Sequence, residues 1–263
     1  MARSALLNVM VQAAMKAGRS LARDFGEVQN LQVSLKGPGD YVSQADRKAE
    51  EIIHAELSRA RPGYSFLMEE RGAIEGDDGQ HTWIVDPLDG TTNFLHGIPL
   101  FAISIALERQ GQIVAAVVYN PAMDELYTAE RGGGAFMNDR RLRVAARSKL
   151  SDCVIANGIP HLGRGHHGKA LVDLRNVMGE VSGIRRMGAA SLDLAYVAAG
   201  RFDGYWEDGL AAWDMAAGLL LVREAGGFAS DRDGGQDVLA GGSVVAGNEQ
   251  IHKTLLKTLA KPV

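Results

Sequence analysis

Apolar residues recur at helical spacing near the start of the chain. Leu6, Val9, Met10, Ala13, Ala14, Ala17 and Leu21 form one stripe, with Lys16, Arg19 and Arg23 interleaved. This pattern predicts an amphipathic surface helix. A second helical stretch, "DRKAEEIIHAELSRA", is stopped by Pro62 and Gly63. Between the two, "SLKGPGDYVSQAD" reads as a glycine-rich loop. "YSFLMEE" reads as a short strand ending in Glu69 and Glu70, and "TWIVD" as the next strand, ending at Asp86. "FAISIALERQGQIVAAVVYNP" predicts two long strands joined at Gln110–Gly111, and "ELYTAERGGGAFMNDRRLRV" a further hairpin. Past roughly residue 145 the pattern changes. Strand-like "CVIANG", "GYWE" and "SVVAG" alternate with the helical "AASLDLAYVAAG", closed by Gly200, and "WDMAAGLLLVREAGG", closed by Gly226. The expected organisation is an N-terminal α+β lobe over residues 1–145 and a C-terminal α/β lobe over 146–263. No repeat, low-complexity tract or flexible linker separates them, so the lobes are expected to pack tightly.

Composition changes this picture little. The chain has 263 residues, 46% of them hydrophobic and 23% charged, enough for a substantial core. A net charge of −4 leaves no whole-chain basic field, so direct nucleic-acid binding is not expected. The N-terminal helix does not read as a signal peptide, and no long uncharged apolar run reads as a membrane span. The single cysteine, Cys153, can form no disulfide within the chain and suits a reducing cytoplasm. Its apolar, strand-like surroundings predict a buried structural thiol.

The acidic residues change the picture more. In "WIVDPLDGTTNF", a buried strand runs straight into Asp86 and Asp89, three positions apart. Glu69–Glu70 end another strand, and Asp214 opens a helix. Ligand sites gather outside strand ends in α/β sheets. Two carboxylates 4 Å apart repel by roughly 4 kcal/mol at an effective dielectric of 20. A convergent cluster therefore calls for cations, and an all-oxygen donor set favours hard ions, Mg²⁺ above all. Pro87 biases Asp86 toward extended geometry, and Gly90 permits a sharp turn. Asp86, the Leu88 carbonyl and Asp89 would then face one point. If Thr91 opens a helix, its first N–H groups and those of Thr92 offer an anion cradle. Cations beside such a cradle point to phosphate chemistry.

Each feature also has a simpler reading. Asp-Pro and Asp-Gly are common turn dipeptides. Asp214 would complement the amides of its helix start, and Glu69–Glu70 would be solvated strand-end charges. Asp46, three after Ser43, has the spacing of a capping box. "ERGGGAF" lacks the Gly-Lys-Ser/Thr ending of a P-loop and reads as a hairpin turn. His166–His167 has no companion ligand motif.

Taken together, the motifs resemble the inositol monophosphatase family, within the superfamily of Mg²⁺-dependent, often Li⁺-sensitive sugar phosphatases. "WIVDPLDGTTNF" looks like its first signature and "WDMAAGLLLVREAGG" like its second. "KGPGDYVSQAD", "FLMEE", "RRMGAASLDLAYVAAGRFDGYWE" and "SVVAGN" match in family order, so the resemblance covers essentially the whole chain. It is closest to the bacterial inositol-1-monophosphatase type.

The resemblance implies a layered αβαβα sandwich of the inositol monophosphatase and fructose-1,6-bisphosphatase type, in a cytoplasmic homodimer. It implies Glu69, Asp86 and the Leu88 carbonyl on a first Mg²⁺. Asp86, Asp89 and Asp214 would hold a second, and a weaker third would also involve Glu69. Asp46 and Thr91 would orient the attacking water, with Glu69 the third catalytic residue. Gly188, Ala189, Ala190 and Glu207 would line the inositol side. Glu69, Leu88, Asp89, Gly90, Thr91 and Asp214 would also meet the substrate. Glu70 and Thr92 would support the site from just outside it, and Lys36 would lie in a mobile loop over the metals. The loop His161–Lys169 carries no implied role. The implied reaction is hydrolysis of myo-inositol 1-phosphate or a similar small polyol phosphate. Fructose 1,6-bisphosphate, histidinol phosphate and a 3′-phosphoadenosine nucleotide are the competing substrates. A further role as a protein-binding partner of the transcription machinery is the non-catalytic alternative.

Overall fold

A computed structural model describes residues 3–27, 33–37, 40–163 and 165–261, with side chains for all of these except 33–37 and 40–42. The N-terminal stripe forms helix α1 (Ala5–Phe25), started by Ser4, whose side chain accepts the Leu7 N–H. Strands β1 (Val33–Gly37) and β2 (Asp40–Ser43) follow as an antiparallel ribbon. The sequence reads this stretch as a loop. Backbone pairing in register, Val33 with Ser43 and Leu35 with Tyr41, outweighs the loop signal of the glycines. Helix α2 (Gln44–Ala60) comes next, two residues earlier than its pattern begins.

The large sheet holds β3 (Ser65–Met68), β4 (Gly72–Ile74), β5 (His81–Asp89), β6 (Ala102–Arg109), β7 (Gln112–Asn120), β8 (Glu125–Glu130), β9 (Gly134–Met137) and β10 (Arg140–Arg141). Helix α3 (Thr91–Leu95) lies between β5 and β6. The order is β10-β9-β8-β7-β6-β5-β3-β4, antiparallel throughout except that β3 and β5 run parallel. The long hairpin turns at Gln110–Gly111, both with positive φ. Strand β5 does not stop at Asp86 as its apolar run predicts. It continues through a bulge to Asp89, with Asp86 opposite Ser104 and Asp89 opposite Ala102. Pro87, which has no N–H to give a ladder, falls inside that bulge.

The second sheet, order β12-β11-β13-β15-β14, is built from β11 (Val154–Asn157), β12 (Gly183–Arg185), β13 (Gly204–Asp208), β14 (Phe228–Ser230) and β15 (Ser243–Gly247). Its helices are α4 (His167–Met178), α5 (Ala190–Ala198), α6 (Ala212–Glu224), α7 (Val238–Gly241) and α8 (Glu249–Leu259).

Packing gives five layers in the order αβαβα. Helices α1 and α2 cover one face of the large sheet. Helices α5 and α6 lie between the two sheets, and α4 and α8 cover the far face of the smaller one. All nine residues of α5 are buried, which explains why its sequence lacks a polar stripe. Gly218 of α6 sits so near α5 that a Cβ there would stand 2.5 Å from Leu194 Cβ, so the middle layer is thin. Cys153 is buried as expected; burial pushes its thiol up to about 11, and Sγ donates to the Lys149 carbonyl. No described helix is long and apolar enough to cross a membrane.

Candidate active site

The parallel pairing of β3 and β5 sets the site. Met68 faces Val85 in register, so Glu69, the first residue past β3, stands beside Asp86 within β5, and the Glu69 N–H donates to the Val85 carbonyl. The bulge then turns β5 so that Asp86, Leu88 and Asp89 all reach one cavity of about 390 Å³. Gly90, with φ of 88°, lets the chain enter α3 at Thr91. A Cβ on Gly90 would stand 2.9 Å from the Leu100 carbonyl oxygen, so space as well as conformation requires glycine. Thr91 and Thr92 line the same cavity, joined by Asp214 from α6 and Glu207 from β13.

Asp86, Asp89 and Asp214 also hold protein groups. Asp86 Oδ1 accepts the Leu88 N–H at 2.8 Å. Asp89 Oδ2 accepts both the N–H and the hydroxyl of Ser191, at 2.7 and 2.6 Å. Asp214 Oδ2 accepts the Ala211 N–H at 2.7 Å, the helix-start contact of its simpler reading. Asp46 divides its oxygens. Its Oδ2 takes the Ser43 N–H at 2.8 Å and the Ser43 hydroxyl at 2.5 Å, as a helix cap. Its Oδ1 stands 3.0 Å from the Thr91 hydroxyl, which is also 3.0 Å from the Leu88 carbonyl. The capping and site readings of Asp46 are therefore compatible.

Burial and mutual repulsion raise the pKa values of Asp86, Asp89, Glu207 and Asp46. Burial first, then the charges of Glu69, Asp89 and Asp214, hold Asp86 well above the carboxylate range. Burial pushes Asp89 up to about 7; the two Ser191 hydrogen bonds oppose this and the Glu207 and Glu69 charges add to it. Glu207 is also pushed up to about 7, by burial, with the Tyr205 hydroxyl opposing and Asp214 reinforcing. Burial raises Asp46, partly offset by Ser43. As placed, no three Asp, Glu, His or Cys side chains among the described residues form a ready-made cation cage. The predicted ligands share one cavity. Their chemistry still fits a hard divalent cation. The donors are all oxygen, and a bound positive charge would relieve the strain that holds Asp86 and Asp89 away from ionisation.

The other expected residues divide. Gly188 and Ala190 line the cavity, whereas Ala189 is buried behind it, its Cβ packed toward Gly90. Glu70 lies outside, its N–H donating to Glu50 in a separate depression with Arg71. The side chain of Lys36 lies outside the described residues. His161 and Leu162 line the cavity, which gives their loop a place in the site.

Several site residues escape a reading of the sequence. Ser191 and Asp193 sit in a helix that reads as plain core. Their only signal is polarity inside a helix buried on all sides. Asp193 is 1% exposed, its Oδ1 has no hydrogen-bond partner, and burial with the charges of Glu207 and Asp89 raises it well above the carboxylate range. Arg186, the cavity's one lysine or arginine among the described residues, stands near both Glu207 and Asp193.

An αβαβα sandwich with an acidic cavity at strand ends belongs to the phosphatase class that the motifs imply. Comparison with known proteins gives the family. The model of the inositol monophosphatase family matches residues 2–262. The chain is 82% identical to an inositol-1-monophosphatase from Mesorhizobium japonicum, over 100% of this chain and 99% of that protein. It is 46% identical to the Nus factor SuhB of Pseudomonas aeruginosa, over 97% and 95% of the two chains. The crystal structure of extragenic suppressor protein suhB from Bartonella henselae superposes with a TM-score of 0.97 at 69% identity, covering 99% of this chain and 100% of that one. The chain belongs to the inositol monophosphatase family, and it is a phosphatase.

Proposed function

We propose that this phosphatase hydrolyses myo-inositol 1-phosphate or a closely similar polyol phosphate, with Mg²⁺ as its cofactor. The observation that carries the reading is the meeting, in one cavity, of the acidic set Glu69, Asp86, Asp89 and Asp214 with Glu207, beside the Asp46–Thr91 pair. Glu69, Asp86 and the Leu88 carbonyl would hold a first ion. Asp86, Asp89 and Asp214 would hold a second, and a third, weaker ion would involve Glu69. The bound ions supply charge neutralisation at the phosphate oxygens and acidify water.

The chain's own groups do the rest. Thr91 gives its hydroxyl proton to Asp46 and offers its oxygen to a water proton, which aims the water oxygen at phosphorus. That oxygen bonds to phosphorus while its proton passes through Thr91 to Asp46, and the bond to the ester oxygen breaks. The departing oxygen takes a proton from solvent, and Asp46 then releases its own, so that the products are inorganic phosphate and the free alcohol. The first N–H groups of α3 steady the phosphate oxygens. Glu207, Gly188 and Ala190 face the alcohol side. Residues 1–145 and 146–263 act as lobes of one catalytic unit, the first supplying most of the acidic set and the second Asp214 and Glu207.

Glu207 is the residue that favours a hydroxyl-rich substrate. A carboxylate there accepts hydrogen bonds from ring hydroxyls but repels a second phosphate, which disfavours a bisphosphate. A site built to bond hydroxyls discriminates strongly against ligands that lack them. Glu207→Gln should therefore lower kcat/KM for inositol 1-phosphate much more than for p-nitrophenyl phosphate. Equal losses on the two would remove the main residue-level support for a polyol substrate. A phosphate-release panel over inositol, fructose, histidinol and nucleotide phosphates, ranked by kcat/KM, tests the substrate directly. Inositol phosphate in any rank but the first overturns this choice.

The family resemblance supports a cytoplasmic, Li⁺-sensitive homodimer. The Nus-factor name of the Pseudomonas relative supports a second role as a protein partner of the transcription machinery. Failure of transcription proteins to co-purify with the tagged chain would count against that role.

A further inference from the structure

We propose that Tyr205 and Gly158 are positioning residues for Glu207, one holding its carboxylate by a hydrogen bond and the other leaving the space in which it lies. The inference rests on the reading of Glu207 as the group that meets substrate hydroxyls.

The geometry of the three residues is unusually restrictive. Strands β11 and β13 are parallel, with Asn157 opposite Trp206, and the Gly158 N–H donates to the Trp206 carbonyl at 3.2 Å. Position 158 thus lies beside Glu207 across the sheet. A Cβ built on Gly158 would stand 1.7 Å from Glu207 Cδ and 2.0 and 2.1 Å from its two carboxylate oxygens. No side chain other than hydrogen leaves room for that carboxylate. The backbone gives no separate reason for glycine, because Gly158 is not among the residues with positive φ. A Cβ would fit only if the end of the Glu207 side chain moved, so the present place of that carboxylate explains the glycine.

The second contact comes from within β13. The Tyr205 hydroxyl donates to Glu207 Oε2. Tyr205 is fully buried, packed in the core between the sheets, so the rigid phenol carries a donor to a fixed point. Glu207 needs holding. It lies among the like charges of Asp214 and Asp208, and the Arg186 guanidinium offers it a competing partner at the cavity rim. A glutamate side chain has several rotamers, and a carboxylate free to wander reads hydroxyl positions poorly. With Oε2 tied to Tyr205, Oε1 is left to accept from a ligand.

The test uses the Mg²⁺-saturated, full-length enzyme and one ratio, kcat/KM for inositol 1-phosphate over kcat/KM for p-nitrophenyl phosphate. Tyr205→Phe keeps the ring in the core and removes only the donor. It should lower the ratio roughly tenfold to a hundredfold, the scale of one hydrogen bond to a charged group. Gly158→Ala should lower it in the same direction by displacing the carboxylate. In a Glu207→Gln background, Tyr205→Phe should add nothing, because the residues act as a unit. An unchanged ratio in Tyr205→Phe, with a lowered one in Glu207→Gln, overturns the positioning role and leaves the substrate reading intact. So does an additive double variant, or an equal fall on both substrates, which marks a structural role. An unchanged ratio in Glu207→Gln itself overturns the substrate reading, and the positioning role falls with it.

Discussion

Asp46→Asn is expected to lower kcat by at least roughly a hundredfold, the scale of general acid–base catalysis, while leaving the melting temperature almost unchanged. The two halves of this expectation come from the two oxygens of one side chain. Oδ2 accepts from the Ser43 N–H and hydroxyl at the start of α2, and Oδ1 faces the Thr91 hydroxyl at 3.0 Å. Asparagine caps helices as well as aspartate does, and its carbonyl oxygen can keep the Ser43 contacts. Its NH₂ group then meets Thr91 with a donor where an acceptor stood. Thr91 must turn its proton to the Leu88 carbonyl, also 3.0 Å away, and can no longer pass one to position 46. Thr91→Val should lose a similar amount, and the double variant little more, as for residues that act together. Steady-state kinetics with a thermal melt separates the possibilities. A near wild-type kcat in Asp46→Asn would return the residue to capping alone.

The second large effect concerns stability in the absence of divalent ions. In excess EDTA the melting temperature should be highest in mild acid and fall as pH rises toward 8. The sign follows from the direction of the shifts. Asp89 is raised from 3.8 to about 7, so the unfolded chain releases its proton first as pH rises, and each step up to about 7 favours unfolding. Glu207, raised from 4.5 to about 7, and Asp86 and Asp193, both raised well above 3.8, act in the same direction. Asp89 alone represents on the order of 4 kcal/mol, and because the groups repel one another their contributions do not add. Glu125, held low by Arg201 and Tyr127 despite its burial, works the other way, but only as pH falls below the usual carboxylate range. Millimolar Mg²⁺ should raise the melting temperature and flatten the fall, because a ligand of the folded state stabilises it and lets the acidic set ionise. Activity should vanish in EDTA and return with Mg²⁺. Equal slopes of melting temperature against pH in EDTA and in Mg²⁺, or full turnover in excess EDTA, would refute the metal assignment.

Much of the molecule is legible in its linear pattern, because secondary structure follows local periodicity. The α1 stripe, the long hairpin turning at Gln110–Gly111, and the helices closed by Gly200 and Gly226 all appear where spacing puts them. The stretch read as a loop, Ser34–Asp46, instead contributes residues 34–37 and 40–43 to a two-stranded ribbon, because pairing between the strands outweighs the local signal of its glycines. The bulge in β5 was half visible, since Pro87 marks an interruption, but only the ladder to β6 shows the strand resuming at Asp89.

The linear pattern picks out the oxygen-bearing residues that line the cavity: Glu69 and Asp86 at the ends of apolar runs, Asp89 and Thr91 behind a proline and before a helix, Asp214 at a helix start. It could not determine what those oxygens meet. Ser191 reaches Asp89 across 102 positions and Thr91 reaches Asp46 across 45. The carboxylate of Glu207 lies on Gly158, which looks in the sequence like a simple strand-end glycine. Local spacing fixes which face of an element a side chain occupies. Which partner stands opposite, how much water is excluded, and how far a carboxylate is driven from its ordinary acidity depend on packing between elements distant in the chain, and only the tertiary structure decides them.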